Sequence, residues 1–158
     1  MQISFGSDGF RGVTGHVVTR AAVVRLALAA VLLIREHLPE AAGLPIPIGY
    51  DTRFLAREFA ELAGRVLKGA GMQPRLAPQP CPSPYLSFAV KRIGAPLGIQ
   101  VTASHNPPQY LGFKFKGGYG GSLFSPDVEL LEHFANNLDP GEAEREPESR
   151  VPHADLPH

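Results

Sequence analysis

The 158-residue sequence has one cysteine, no surplus of either charge and no long apolar run, and each shortage removes a class of protein. A single thiol, Cys81 between Pro80 and Pro82, makes neither an internal disulfide nor a metal-binding pair, so a reducing, cytoplasmic setting is expected. Lys plus Arg and Asp plus Glu both number 15, whereas a general nucleic-acid binder would carry a basic surplus. The most apolar stretch, Ala21 to Ile34, is interrupted by Arg25 and is too short for a bilayer core of ~30 Å, so no membrane partner is expected. The opening MQISFGSDGF has no basic start and no apolar run, and so does not read as a signal peptide.

What is present points to one packed domain. Hydrophobic residues make up 44% of the chain, enough for a core. Residues 139–158 carry six acids and two bases, which leaves 13 bases against 9 acids over residues 1–138. A mildly basic body suits a small phosphorylated ligand, although ordinary surface charge gives the same count.

Local patterns predict alternating strands and helices. GVTGHVV (12–18) reads as a short strand. Thr19 reads as the cap of a buried helix from Arg20 to about Leu38. PIPIGY (45–50) reads as a strand. Phe54 to Ala70 repeats apolar residues at helical spacing and ends at Gly71. Gln73 to Ala77 and Pro96 to Thr102 read as strands, with a helix from Tyr85 to Ile93 between them. Gly112 to Lys116 alternates Phe113 and Phe115 with Lys114 and Lys116, a strand with one wet face. Ser125 reads as the cap of a last helix with Pro126 at its first position. The order predicts an α/β domain: three layers, α/β/α, around a mixed, mostly parallel sheet over residues 1–138. Residues 139–158, acidic and proline-bearing, read as a linker or tail.

In such sheets ligands gather outside the carboxyl ends of strands, and the loop Ala103 to Leu111 leaves such an end. Thr102-Ala103-Ser104-His105-Asn106-Pro107-Pro108 exposes a serine among free backbone amides, and its two prolines forbid a helix. By residue type alone it is also an ordinary polar turn. An acyl-transfer serine is disfavoured: His105 is its immediate neighbour, adjacent side chains of extended chain point apart, and there is no G-x-S-x-G elbow. Gly6, Gly9 and Gly12 fit neither dinucleotide-binding nor P-loop spacing, and Gly117 to Gly121 reads as a flexible turn. Asp51 and Arg53 read by residue type as a helix cap and a structural arginine.

TASHNPP followed by YLGFKFKGGYGGS resembles the active-site stretch of the alpha-D-phosphohexomutases, the phosphoglucomutase and phosphomannomutase family. FGSDGFRG resembles that family's first motif and GYDTR its second, in the family's order; Leu111 stands where the family often has Asn. The resemblance implies an N-terminal domain in which Ser104 carries a phosphoryl group and passes it to a hexose phosphate through a bisphosphorylated sugar. Lys114 matches the lysine that assists proton transfer and neutralises charge. Arg11 matches the active-site arginine, and His105 the family's Ser-His pair in a supporting role. Asn106 and Arg53 are the candidate substrate-binding residues. The resemblance also implies Mg²⁺, held by the phosphate on Ser104 and by an aspartate-rich loop of a second domain, and a hexose 1,6-bisphosphate as activator. The expected partners are therefore a hexose phosphate and the remaining domains of the same enzyme. No D-x-D-x-D run occurs here, and SRVPHADLPH resembles the linker into that second domain. The isolated chain is accordingly expected to fold without catalysing the reaction. The alternative is a non-catalytic remnant of the same fold that binds a phosphosugar or a partner protein.

Overall fold

The structure, a computed structural model, describes residues 2–6, 9–41, 43–138 and 141. The elements in chain order are β1 (Phe10–Val13), α1 (Arg20–His37), a short 3-10 turn (Pro39–Ala41), β2 (Pro45–Tyr50), α2 (Ala56–Gly69), β3 (Gln73–Leu76), α3 (Ser83–Ile93), β4 (Leu97–Val101), β5 (Tyr110–Gly117) and α4 (Ser125–Asn137). The strands form one sheet in the order β1-β5-β4-β2-β3. β2 pairs in parallel with β3 and β4, while β5 runs antiparallel to both β4 and β1. Four of the five strands therefore share a direction and β5 opposes them.

From β2 the chain steps outward to β3 through α2, then returns across β2 to β4 through α3. Right-handed crossovers that step in opposite directions put α2 and α3 on opposite faces, which makes the three layers. Strand alternation sorts the side chains accordingly. Ile46, Ile48 and Tyr50 of β2, Leu97, Ile99 and Val101 of β4, and Leu111, Phe113 and Phe115 of β5 join one core with the buried residues of α1 and α2. The opposite face carries Gly49, Gly98, Gln100, Gly112 and Lys114. There α3 comes close: a Cβ at Gly98 would lie 2.4 Å from Val90 Cγ2. Leu86, Val90 and Ala95 form a second, small cluster under it.

α1 forms as expected, with Thr19 Oγ1 accepting from Ala22 N at 3.2 Å. Its Arg25 donates to Ala135 O at 2.7 Å and to Asn136 Oδ1 at 3.0 Å, tying α1 to the end of α4. Burial lowers the pKa of this guanidinium from its ordinary value. Asn136 also receives Ile3 N and donates to Ile3 O, which fastens the segment that leads into β1.

Four expectations change. The first strand is Phe10–Val13, not residues 12–18, because pairing with β5 selects it. Residues 14–18 instead curl into a tight turn in which the amides of His16, Val17 and Val18 all reach Val13 O. α2 starts two residues late, since Leu55 takes a left-handed φ of 63° and leaves Phe54 77% exposed. α4 is capped by Phe124, with Ser125 already inside the helix and making no side-chain cap bond. β5 has no wet face over its middle: Lys114 is 7% exposed, covered from the Gly9 segment, where a Cβ would meet Lys114 Cγ at 3.2 Å. The expected linker or tail at 139–158 falls outside the described residues, Gly141 apart.

Candidate active site

β2 and β4 lie side by side although the chain leaves β2 in one direction and returns on the other side of it. Their carboxyl ends flank the point where strand order reverses, the place where open α/β sheets bind ligands. Asp51 follows β2 and Thr102 follows β4, one step beyond the Tyr50–Val101 pair. Between them opens a cleft of about 490 Å³, lined by Asp51, Thr52, Arg53, Phe54, Ser104, Asn106 and Pro108.

Ser104 stands exposed at this rim with φ 57°. Left-handed backbone costs a residue with a Cβ about 1–2 kcal/mol, so something must hold it. Its N–H donates to Thr102 Oγ1 at 2.9 Å, and its carbonyl accepts from Arg53 Nη2 at 2.8 Å. Thr102 is 5% exposed, and its hydroxyl donates to Asp51 Oδ2 at 2.6 Å. Asp51 Oδ1 accepts from Arg53 N at 2.9 Å, and Arg53 Nε lies 3.3 Å from Asp51 Oδ2. Asp51 thus shapes a turn ahead of α2; the helix cap expected of it is Leu55.

Arg53 reaches further along the loop. Nη1 donates to Pro107 O at 2.9 Å and Tyr110 O at 3.2 Å, and Nη2 also donates to Asn106 O at 2.7 Å. The two Nη groups thus donate to four loop carbonyls, and Nε pairs with the Asp51 carboxylate. As arranged, Arg53 holds the serine loop while lining the cleft where a substrate contact is expected of it. Asn106 takes part in the same framework: Arg11 Nη1 donates to its Oδ1 at 3.0 Å. His105 is exposed beside Ser104.

Arg11 and Lys114 approach from the sheet. Arg11 pairs with Gly112, and a Cβ at Gly112 would meet Arg11 Cγ at 2.8 Å, so the arginine stem lies across that glycine. Lys114 sits two residues along β5 on the same face, opposite Gln100. The structure therefore brings Ser104, Asn106, Arg53 and Arg11 into one bonded framework, with Lys114 on the face below. Leu111, the departure from the motif, is fully buried in the apolar core. Residue types alone do not reveal Thr102 as the hinge of the loop. The available signal is the parallel neighbourhood of β2 and β4, which sets Asp51 beside it.

Among the described residues no group of three or more His, Cys, Asp or Glu side chains could hold a metal ion, and Asp51 is already engaged by Thr102 and Arg53. No described helix is long and apolar enough to cross a membrane.

A family model for the phosphoglucomutase/phosphomannomutase alpha/beta/alpha domain I matches residues 2–141. The chain belongs to this family. It is 36% identical over 141 residues to a phosphoglucomutase of Staphylococcus haemolyticus, covering 87% of this chain and 25% of that protein. A probable phosphoribomutase of Schizosaccharomyces pombe is 31% identical over 143 residues, covering 88% of this chain and 24% of that one. A solved structure of a candidate phosphomannomutase from Thermus thermophilus superimposes with a TM-score of 0.86 at 40% identity, covering 99% of this chain and 34% of that chain. The phosphohexomutase chain described here thus spans about a quarter of the length of the curated relatives it matches.

Proposed function

We propose that this domain supplies the phosphoryl-carrying serine, Ser104, of a phosphohexomutase that interconverts hexose 1-phosphate and 6-phosphate, with glucose or mannose as the sugar. The observation that carries the reading is the exposed Ser104, held by both its N–H and its C=O at the strand-order reversal, with Arg11 fastened to the same loop. In the priming step Ser104 Oγ forms an O–P bond to a phosphoryl group of hexose 1,6-bisphosphate as the sugar O–P bond breaks, and the serine proton ends on the freed sugar oxygen, leaving a hexose monophosphate. In turnover that group passes to the free hydroxyl of a hexose monophosphate. The sugar reorients as the bisphosphate, and its other phosphoryl group returns to Ser104.

Phosphoryl transfer rests on positioning and charge neutralisation more than on covalent chemistry by the protein. Arg11 offers a planar guanidinium to phosphate oxygens, and Lys114 is the candidate for carrying the serine proton and balancing charge. Mg²⁺ would add charge neutralisation when bound. The residues described here fit it only through a phosphate on Ser104, because Mg²⁺ requires near-octahedral oxygen ligation and further ligands must come from other domains. The 158-residue chain alone is for that reason expected to fold and not to turn over, and the complete enzyme is expected in the cytoplasm.

The test is incubation of the complete enzyme with glucose 1,6-bisphosphate, followed by intact-mass and peptide analysis. One phosphoryl group on Ser104 is expected. Phosphate on Ser83 or Ser122 with Ser104 bare would sink the assignment. No phosphate at all would favour a phosphosugar-binding remnant.

A further inference from the structure

The contacts around Ser104 close into a ring. Ser104 N–H donates to Thr102 Oγ1, the Thr102 hydroxyl donates to Asp51 Oδ2, Arg53 Nε pairs with the same carboxylate, and Arg53 Nη2 donates back to Ser104 O. Each member has one sense. The threonine hydroxyl has a single proton, and Asp51 takes it, so only lone pairs face the Ser104 amide. Asp51 is an acceptor on every side, and Arg53 is a donor on every side. The side-chain oxygen of Ser104 is the one polar atom of that residue which the ring does not use.

We infer that Thr102, Asp51 and Arg53 are positioning residues that hold Ser104 in its left-handed conformation and so fix the direction in which Oγ meets a phosphoryl group. The inference rests on the reading of Ser104 as the phosphoryl carrier. A serine at φ 57° persists only where its surroundings over-determine it, and such outliers gather at functional sites. Here the over-determination is explicit: both peptide groups flanking the Ser104 Cα are bonded, and four loop carbonyls converge on one guanidinium. The Cα–Cβ bond then has one orientation, and the rotation about χ1 is all the freedom left to Oγ. Through Asn106 O and Oδ1 the ring also keeps Arg53 and Arg11 in register. Lysine cannot substitute for Arg53, since a point ammonium with three donors does not span carbonyls on four residues.

The experiment compares Thr102→Val, Thr102→Ser and Arg53→Lys in two settings. In the 158-residue chain, amide hydrogen exchange is read by NMR. Thr102→Val and Arg53→Lys should speed exchange at Ser104 and Asn106 by at least about 10-fold, with the Ile99 amide of β4 unchanged and Thr102→Ser close to the parent. In the complete enzyme, Thr102→Val and Arg53→Lys should lower kcat by at least about 10-fold with KM within about twofold, because a misaligned reacting atom slows chemistry without loosening ground-state binding. Thr102→Ser should restore kcat. Parental kcat in Thr102→Val, an equal loss in Thr102→Ser, or unchanged exchange at Ser104 overturns the inference alone. A parent enzyme that never carries phosphate on Ser104 removes the functional reading as well, so the two failures are told apart.

Discussion

The two faces of the sheet are built on opposite rules. One face is filled by large side chains, Ile46, Ile48, Tyr50, Ile99, Val101, Phe113 and Phe115, all of them buried. The other presents Gly49, Gly98, Gln100, Gly112 and Lys114, so that glycines leave space which α3, Arg11 and the Gln100 side chain enter. A Cβ at Gly49 would lie 2.4 Å from Gln100 Oε1 and 2.9 Å from Cys81 Sγ. Gln100 itself donates to Cys81 O at 3.0 Å, while its Oε1 has no hydrogen-bond partner among the described residues. The first face builds the core, and the second holds the residues to which the proposed chemistry is assigned. Residues from the two alternate along the same strand, so a single strand such as β5 serves both.

That division is tested most severely at Phe113 and Lys114, neighbours in sequence on opposite faces. Phe113→Ala should destabilise the chain by about 3–5 kcal/mol, read as a shifted midpoint in urea. The folded fraction of the complete enzyme should keep most of its kcat. Lys114→Met, which preserves the packed stem, should do the reverse: a midpoint close to the parent and kcat reduced by at least ~10², about 2.7 kcal/mol of barrier. Arg11→Ala should fall in the same range, and Lys116→Ala should matter little. Equal losses at Lys114 and Lys116 would show a generic basic face in place of a site.

The smallest effect concerns Cys81, on the chemistry side. Burial raises its thiol pKa above the ordinary value of 9.0. The unfolded chain therefore loses this proton first as pH rises. The contribution is intact below the unfolded pKa and is lost as pH climbs from there through the folded value. Cys81→Ala should flatten the fall of the urea midpoint between about pH 8 and 10 relative to the parent. Tyr50, whose hydroxyl pKa is also raised by burial, leaves a residual slope in the variant.

Much of this frame can be read from the chain in order. α1 and α2 announce themselves by helical spacing and a threonine cap, and the parallel strands by short apolar runs between turn residues. What is hidden depends on partners far away in sequence. The extent of β1 is decided by β5, a hundred residues on, and GVTGHVV is just as apolar on the wrong side of it. The wet face expected of β5 is dry because Gly9 crosses it. The part Arg53 plays in holding the serine loop is hidden because its partners there, the carbonyls of residues 104–110, lie more than 50 positions downstream. Ser104 itself is legible by motif, while its strained backbone is not, since nothing in the residue type demands a positive φ.

The antiparallel step from β4 to β5 has a consequence for how the site assembles. Ser104 and Lys114 belong to one β4–β5 unit whose strands pair from Leu97–Gly117 to Val101–Phe113, so their relative placement requires closing only a short connection. Arg11 joins through β1, about a hundred residues distant in the chain. Loop-closure entropy grows roughly as the logarithm of the loop length, and contacts of long separation are the slow ones to form. The serine and the lysine are therefore set by local folding. The arginine depends on the long-range docking of the edge strand β1, so the contact of greatest sequence separation in the sheet is also the one that brings Arg11 to the proposed site.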